Sequence, residues 1–187
     1  MSEAATPPLD AAGETADEAA GDTVDKAAGD TVDKAFAFVL RSTANRPQTE
    51  AELAAKLRGR EYDGAVIAAT LERARAVGAV DDAAFAAAWV EDRGRRRGYG
   101  ARRLRQELRR RLVSDDVAEA ALAPLEARDE LAVATDLARD RAQRLPATLQ
   151  PEAVARRLVG FLARRGYPEG LARRAALTAS GLDRDWD

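Results

Sequence analysis

The chain has 187 residues, of which 32 are acidic and 30 are basic, so its formal net charge is −2. It contains neither Cys nor His. The first absence excludes disulfides and thiolate zinc sites, and the second removes the imidazole base of hydrolytic triads and the commonest metal ligand. We therefore expect no catalytic residue, no metal site and no cofactor, and the chain is not expected to be an enzyme.

The first 34 residues are acidic and repetitive. The octad Ala-Ala-Gly-Asp-Thr-Val-Asp-Lys occurs at residues 19–26 and again at 27–34, after a degenerate copy at 11–18. One glycine in each octad costs about 1 kcal/mol of helix stability relative to alanine, and few large apolar residues are present to offset chain ordering. We predict a disordered acidic tail over residues 1–34, with a marginal amphipathic helix as the minor alternative.

Targeting signals are not apparent in the sequence. The N-terminus is acidic and polar, whereas a secretory leader places a basic segment before an apolar run. No stretch approaches the roughly 18 uninterrupted apolar residues that a spanning helix needs. A cytoplasmic location without membrane contact is expected.

From Ala35 onward, apolar residues recur at helical spacing and no alternating, β-branched run appears, which predicts an all-α fold. The helix boundaries are indicated by capping residues, glycines and a proline. Helices are predicted to begin at Thr49 (a capping box with Glu52), at Asp81 or Asp82, at Ser114 and at Pro151, and to end near Gly78, Gly98 and Gly166.

A second repeat emerges when the chain is aligned on Leu57, Leu108 and Leu162. Each of these leucines has another leucine four residues earlier, which is the spacing of one helix stripe. A Tyr or Val follows five residues later, and a second apolar stripe comes after it, so each copy is predicted to be helix, turn, helix.

Further helical segments at residues 36–40, 82–97 and 129–144 precede the three copies. We therefore predict three tandem three-helix repeats over residues 35–80, 81–126 and 127–182, followed by a short C-terminal tail over 183–187. Units this small bury little surface alone, so stacking into an elongated array is expected.

The strongest local feature is a run of ten arginines with one acid, Glu107, between residues 93 and 111. On the helix after Gly100, Leu104 and Leu108 are predicted to face inward, with Ala101 and Leu112 as further candidates for that face, which leaves the arginines outward. A solvated helix face is the plainer interpretation, but mutual repulsion of the arginines favours an anionic or acidic partner. The candidate contact residues are Arg93, Arg95, Arg96, Arg97, Arg102, Arg103, Arg105, Arg109 and Arg110, with Arg164 and Arg165 as a possible second patch.

Gly98 and Gly100 flank Tyr99, but no Lys-Ser or Lys-Thr pair follows them, so they do not form a phosphate loop. We interpret them as a flexible joint between two basic helices. Trp89 is predicted to lie in the core beside Phe85.

The acid pairs at residues 81–82 and 115–116 could be metal ligands, but their position before apolar helical stripes favours helix capping. The helix predicted over 116–125 has no Arg, Asn or Gln to reach base edges. Sequence-specific reading of DNA is therefore not expected.

Several segments together resemble the bacterial RecX regulators over about residues 35–180. They are Gly-Ala-Val-Asp-Asp-Ala-Ala-Phe-Ala at 78–86, Arg-Gly-Tyr-Gly at 97–100, Leu-Arg-Gln-Glu-Leu at 104–108, Thr-Glu-Ala-Glu-Leu-Ala-Ala-Lys-Leu at 49–57 and Phe-Leu-Ala-Arg-Arg-Gly-Tyr at 161–167. Two positions depart from the family pattern. Leu112-Val113 stands where the family usually has Gly-Ile, so a less tight turn is expected there, and Ala101 stands where proline is common.

The resemblance implies a small, monomeric, non-enzymatic modulator of the RecA recombinase, built from three all-α repeats. Such proteins act in DNA repair, recombination and the SOS response. They bind the RecA filament on single-stranded DNA and mostly inhibit its recombinase, ATPase and co-protease activities, with no small-molecule substrate of their own. The alternative is a general helical nucleic-acid-binding protein that acts directly on DNA, and a third possibility is an adaptor that docks only on protein.

Overall fold

The computed structural model describes the backbone of residues 14–182 and the side chains of residues 29–182. All regular elements in this range are helical, which confirms the all-α prediction. The helices are α1 (Glu14–Asn45), α2 (Glu50–Arg58), α3 (Gly64–Ala76), α4 (Asp82–Val90), α5 (Ala101–Arg110), α6 (Asp115–Glu126), α7 (Glu130–Ala142), α8 (Pro151–Arg164) and α9 (Glu169–Ser180). A π-helical segment, Glu91–Arg96, continues α4.

These helices are distributed over two compact units. Among the described residues, one unit contains 14–46 together with Ala54–Ala79, and the other contains Pro47–Leu53 and 80–182. The segment Pro47–Leu53 thus packs with the second unit, although it contains the first residues of α2.

Helix α1 reaches into the acidic octads, where the sequence favours a disordered tail. The difference concerns residues 14–34, because residues 1–13 lie outside the described range, as does the whole of the predicted C-terminal tail, 183–187. Ala35 and Val39 are fully buried, and the Asp33 carboxylate pairs with Arg73 of α3. A helix anchored in this way extends at one hydrogen bond per residue, because the costly nucleation step has already been made. The alanines of the octads support that extension despite the glycines.

The predicted helix starts are present, although one cap has a different partner. The Asp81 carboxylate accepts the Ala84 amide at 2.8 Å and caps α4, and Pro151 is the first residue of α8. The Asp82 carboxylate instead accepts the Glu50 amide of α2 at 2.9 Å. Burial raises the pKa of Asp82, against the opposing effect of that hydrogen bond.

Only half of the predicted capping box forms at Thr49. Its hydroxyl oxygen accepts the Glu52 amide at 3.2 Å and donates to the Arg111 carbonyl at 2.9 Å. The Glu52 carboxylate pairs with the Arg111 guanidinium at 2.7 Å rather than returning to Thr49. The other half of the box is therefore replaced by a tertiary ion pair within the second unit.

The leucine pairs of the sequence repeat lie on the inner faces of α2, α5 and α8, and all six side chains are fully buried. They are Leu53, Leu57, Leu104, Leu108, Leu158 and Leu162. After each pair the chain makes the same turn, in which an amide bonds back to the carbonyl of the second leucine at 3.2–3.3 Å. These amides belong to Tyr62, Val113 and Tyr167. One sequence pattern therefore specifies one local geometry three times.

The residue before each of these amides adopts a left-handed backbone conformation. Its φ is 64° at Glu61, 58° at Leu112 and 90° at Gly166. The turn at Leu112 is thus the same as the others, and the looser turn expected there is not seen. Leu112 was also predicted to face inward but is 69% exposed, since the left-handed turn directs its side chain away from the stripe of Leu104 and Leu108.

We predict that Leu112→Gly stabilises the protein by about 0.5–1 kcal/mol, because glycine adopts positive φ without the Cβ clash that costs other residues about 1–2 kcal/mol. Little burial is lost, since the leucine is already exposed. Urea unfolding followed by circular dichroism measures the change. Leu112→Ala is the control, since it removes the same side chain but keeps the strain. A glycine variant no more stable than the alanine variant would contradict the prediction.

Candidate functional site

The segment around Tyr99 is packed firmly against the turn that follows α8. The Gly100 amide donates to the Arg165 carbonyl at 2.8 Å, and the Tyr167 hydroxyl donates to the Gly98 carbonyl at 3.4 Å. Tyr167 is buried, and this burial raises the pKa of its phenol to about 12. The interpretation of Gly98 and Gly100 as a flexible joint is therefore wrong: their backbones are hydrogen-bonded across a close contact.

Gly166 makes the closest approach at this contact. A Cβ on Gly166 would overlap the Cβ of Arg103 and lie 2.7 Å from its amide nitrogen. Arg103 in turn donates from its guanidinium to the Arg164 carbonyl at 2.7 Å, and its guanidinium carbon lies 3.8 Å from the centre of the Tyr99 ring. Arg103 thereby ties α5 to the end of α8, and its predicted contact with a partner stays a prediction.

Glu107, the one acid of the arginine run, accepts hydrogen bonds from three donors. They are the guanidinium groups of Arg93 at 3.1 Å and Arg103 at 3.0 Å, and the indole nitrogen of Trp89 at 3.1 Å. Its side chain is only 14% exposed. Trp89 stacks on Phe85 with ring centres 5.5 Å apart. It is half-buried at the edge of the core rather than enclosed in it, because its indole nitrogen needs this polar partner.

Much of the remaining positive charge is neutralised by ion pairs, some with acids a few residues away and some with acids of α6. Arg105 bonds both Glu119 and, at 2.8 Å, Glu126 of α6. These hydrogen bonds raise the pKa of Arg105 and lower that of Glu119. The other ion pairs are Arg95 with Glu91, Arg97 with Asp92 and Arg109 with Asp115. The charge of the linear run therefore overstates the charge of the folded surface.

Three arginines remain exposed and converge on an open groove between α5 and the end of α8. They are Arg102, Arg110 and Arg164, and none has a carboxylate partner among residues 29–182. The groove has a volume of about 430 Å³ and is also lined by Gln106 and by the neutralised pair of Arg103 and Glu107. We call it the α5–α8 groove. Its unpaired guanidinium groups suit phosphate or carboxylate oxygens, which they can bind in bidentate fashion.

The structure therefore divides the eleven candidate arginines into four groups. Arg102, Arg110 and Arg164 line the groove, and Arg93 and Arg103 hold the Glu107 cluster together. Four others form exposed or half-buried ion pairs: Arg95, Arg97, Arg105 and Arg109. Arg96 and Arg165 line a separate groove beside α7. Sequence reasoning did not single out Gln106, whose side chain carries no recognisable local signal.

Other kinds of site find no support in the part of the chain that the structure describes. No group of three or more carboxylates there is placed to hold a metal ion. Asp81 and Asp82 accept backbone amides, and Asp115 pairs with Arg109. Between residues 14 and 182, no helix has an apolar stretch long enough to cross a membrane.

These observations define an all-α protein of repeated three-helix units with a basic groove between two of its helices. Comparison with known proteins identifies the family. Residues 35–73 match the first three-helix domain of RecX, and residues 81–122 match its second three-helix domain.

A regulatory protein RecX of Thermobifida fusca is 45% identical over 157 residues, which cover 81% of this chain and 83% of that one. One from Mycobacterium sp. strain KMS is also 45% identical, over 74% of this chain and 77% of the relative. The crystal structure of RecX from Lactobacillus salivarius has the same fold, with a TM-score of 0.68 at 18% identity over 83% of this chain and 99% of that one. The chain belongs to the RecX family of regulatory proteins.

We predict that Gly166→Ala destabilises the protein by about 2–4 kcal/mol. The new Cβ would meet the backbone of Arg103, and the residue would also have to keep a positive φ. Gly170→Ala is the matched control, because a Cβ there meets nothing within 4 Å. Thermal or urea unfolding measures both, and equal stabilities would contradict the close approach at Gly166.

Glu107→Gln should also destabilise the protein, by about 2–3 kcal/mol, because it leaves two half-buried guanidinium groups without their anion. Glu119→Gln is the control for loss of one carboxylate charge, and we expect it to change the stability by less than about 1 kcal/mol, since its ion pair is exposed. Urea unfolding distinguishes the two. A Glu107 variant as stable as the Glu119 variant would show that the cluster is not structural.

Proposed function

We propose that this protein binds the RecA filament on single-stranded DNA in the cytoplasm and modulates, mostly inhibits, its recombinase, ATPase and co-protease activities. Membership of the RecX family supports the regulatory role. The observation that carries the proposal is the convergence of Arg102, Arg110 and Arg164, all without carboxylate partners among the described side chains, on the α5–α8 groove.

Electrostatics favours such a partner. A nucleoprotein filament presents DNA phosphates and acidic side chains, and either can neutralise the three groove arginines, which have no carboxylate partner among the described residues. Exposed like charges held on neighbouring helices repel one another, and a polyanion relieves this cost on binding. The protein needs no nucleotide site or catalytic group for this role, because the ATP chemistry belongs to RecA.

The proposed contact surface is smaller than the linear run of arginines. We assign direct contact with the partner to Arg102, Arg110 and Arg164. A weaker, long-range electrostatic attraction comes from the arginines whose charges are partly neutralised by ion pairs, namely Arg95, Arg97, Arg105 and Arg109. Arg93 and Arg103 act by holding the groove wall in place.

The proposal is tested by RecA's DNA-dependent ATPase activity in the presence of substoichiometric amounts of this protein. We expect the unchanged protein to inhibit the ATPase. For the variant R102E/R110E/R164E, at least roughly tenfold more protein should be needed for the same inhibition, because attraction between opposite charges is replaced by repulsion between like charges. The control is R156E/R157E/R174E, which reverses three exposed arginines of α8 and α9 outside the groove.

The outcomes separate the candidate functions. No effect of the unchanged protein on the ATPase would remove the proposal. Equal affinity for naked DNA and for RecA-coated DNA would favour the alternative, a nucleic-acid-binding protein that acts directly on DNA. Inhibition that survives in the groove variant would show that the α5–α8 groove is not the contact surface.

A further inference from the structure

One arginine occupies the same position in all three repeats, three residues after the second leucine of the pair. These residues are Arg60, Arg111 and Arg165. Each guanidinium lies over an aromatic ring, 4.1 Å from the centre of Phe38, 4.3 Å from that of Trp89 and 4.3 Å from that of Phe161, respectively. We call them the stacked arginines. The ring holds the planar group in place by cation–π attraction, so its orientation is fixed before any ligand arrives.

In the second repeat this arginine is neutralised by the protein itself. Arg111 pairs with Glu52 at 2.7 Å, and both side chains are about one quarter exposed. A second acid, Glu107, accepts a hydrogen bond from the indole of Trp89, the ring on which Arg111 stacks. The stacked arginine of the second repeat is therefore a structural element.

In the third repeat the stacked arginine has no carboxylate partner among the side chains that the structure describes. The Nε atom of Arg165 is buried and has no hydrogen-bond partner among the described residues. Arg165 lines a groove of about 490 Å³ beside α7, together with Arg96, Arg97, Arg141, Arg144 and the single carboxylate of Asp140. Phe161 and Tyr99 form its apolar part. Arg97 is paired with Asp92, so the positive charge comes mainly from the other four arginines.

The first repeat has a comparable groove within its own unit. It has a volume of about 530 Å³ and contains the cations Lys34, Arg41 and Arg60 beside the rings of Phe38 and Tyr62. None of the described residues that line it is a carboxylate. Arg60 is exposed and has no carboxylate partner among residues 29–182. The first and third repeats thus share a stacked arginine in a basic groove, whereas in the second repeat the stacked arginine is neutralised by Glu52.

We propose that the grooves of the first and third repeats are phosphate-binding sites for single-stranded nucleic acid, with Arg60 and Arg165 as the residues that contact phosphate. Planar guanidinium groups bind phosphate oxygens in bidentate fashion. Aromatic rings beside the cations favour nucleic acid over an acidic peptide, since bases stack on such rings whatever their sequence. The inference rests on the proposed function in taking the DNA strand as ligand, and it adds two sites outside the α5–α8 groove.

The test measures binding of the full chain to a fluorescent oligothymidylate by anisotropy, without RecA. R60Q/R165Q should bind roughly tenfold more weakly near 100 mM salt, since each lost contact is a charge-assisted hydrogen bond. In a plot of the logarithm of affinity against the logarithm of salt concentration, the slope should become shallower by about 0.7 for each phosphate contact that is lost. R58Q/R174Q is the control, which removes the same charge from exposed positions outside both grooves.

A second variant, R141Q/R144Q, changes two exposed side chains that line the groove beside α7. Because exposed side chains are replaced, it tests the site of the third repeat even if R60Q/R165Q unfolds. We expect it to weaken binding several-fold. Affinities equal to those of the control variant would overturn the inference. The inference would also be overturned if the variants bound polyglutamate more weakly but the oligonucleotide as before, because the grooves would then be binding sites for acidic protein. Since the assay contains no RecA, its result is independent of whether the protein inhibits the RecA ATPase.

Discussion

The close approach of Gly166 to the backbone of Arg103 is the constraint on which the arrangement of the second unit depends. It brings the turn after α8 onto the start of α5, where the Gly100 amide and the Arg165 carbonyl form a hydrogen bond. Any side chain at Gly166 would separate these elements. Because Arg102, Arg110 and Arg164 lie on the two elements so joined, the α5–α8 groove exists only while this contact holds.

Electrostatics within the second unit follows from the same packing. Once α5 lies beside α6, the carboxylates of Glu119, Glu126 and Asp115 come within reach of Arg105 and Arg109 and neutralise them. Glu107 is enclosed by its donors and acts as a structural anion. Arg102, Arg110 and Arg164 have no carboxylate partner among the side chains of residues 29–182. Their positive charge is therefore selected by the fold, and this selection makes a groove rather than a whole stripe the candidate contact surface.

Repetition with small differences gives the three repeats different roles. The left-handed turn recurs at Glu61, Leu112 and Gly166, but only glycine permits the backbone contact that joins the second and third repeats. The stacked arginine also recurs. In the second repeat it pairs with Glu52, whereas in the first and third repeats it has no carboxylate partner within residues 29–182. The stacked arginine is thus a structural residue in the second repeat and a potential ligand contact in the first and third repeats.

The sequence by itself determined the features that depend on near neighbours in the chain. The leucine pairs, the helix ends at Gly98 and Gly166 and the family resemblance all follow from spacings of a few residues, since helical periodicity and capping are local. Only the tertiary structure decided that Arg105 and Arg111 are paired, since Glu119 lies 14 residues from Arg105 and Glu52 lies 59 residues from Arg111 in the chain. It also decided that Gly98 and Gly100 form a packed contact, that Leu112 points outward and that α1 continues into the acidic octads. Each of these depends on what another helix places beside the residue, and a local pattern does not carry that information.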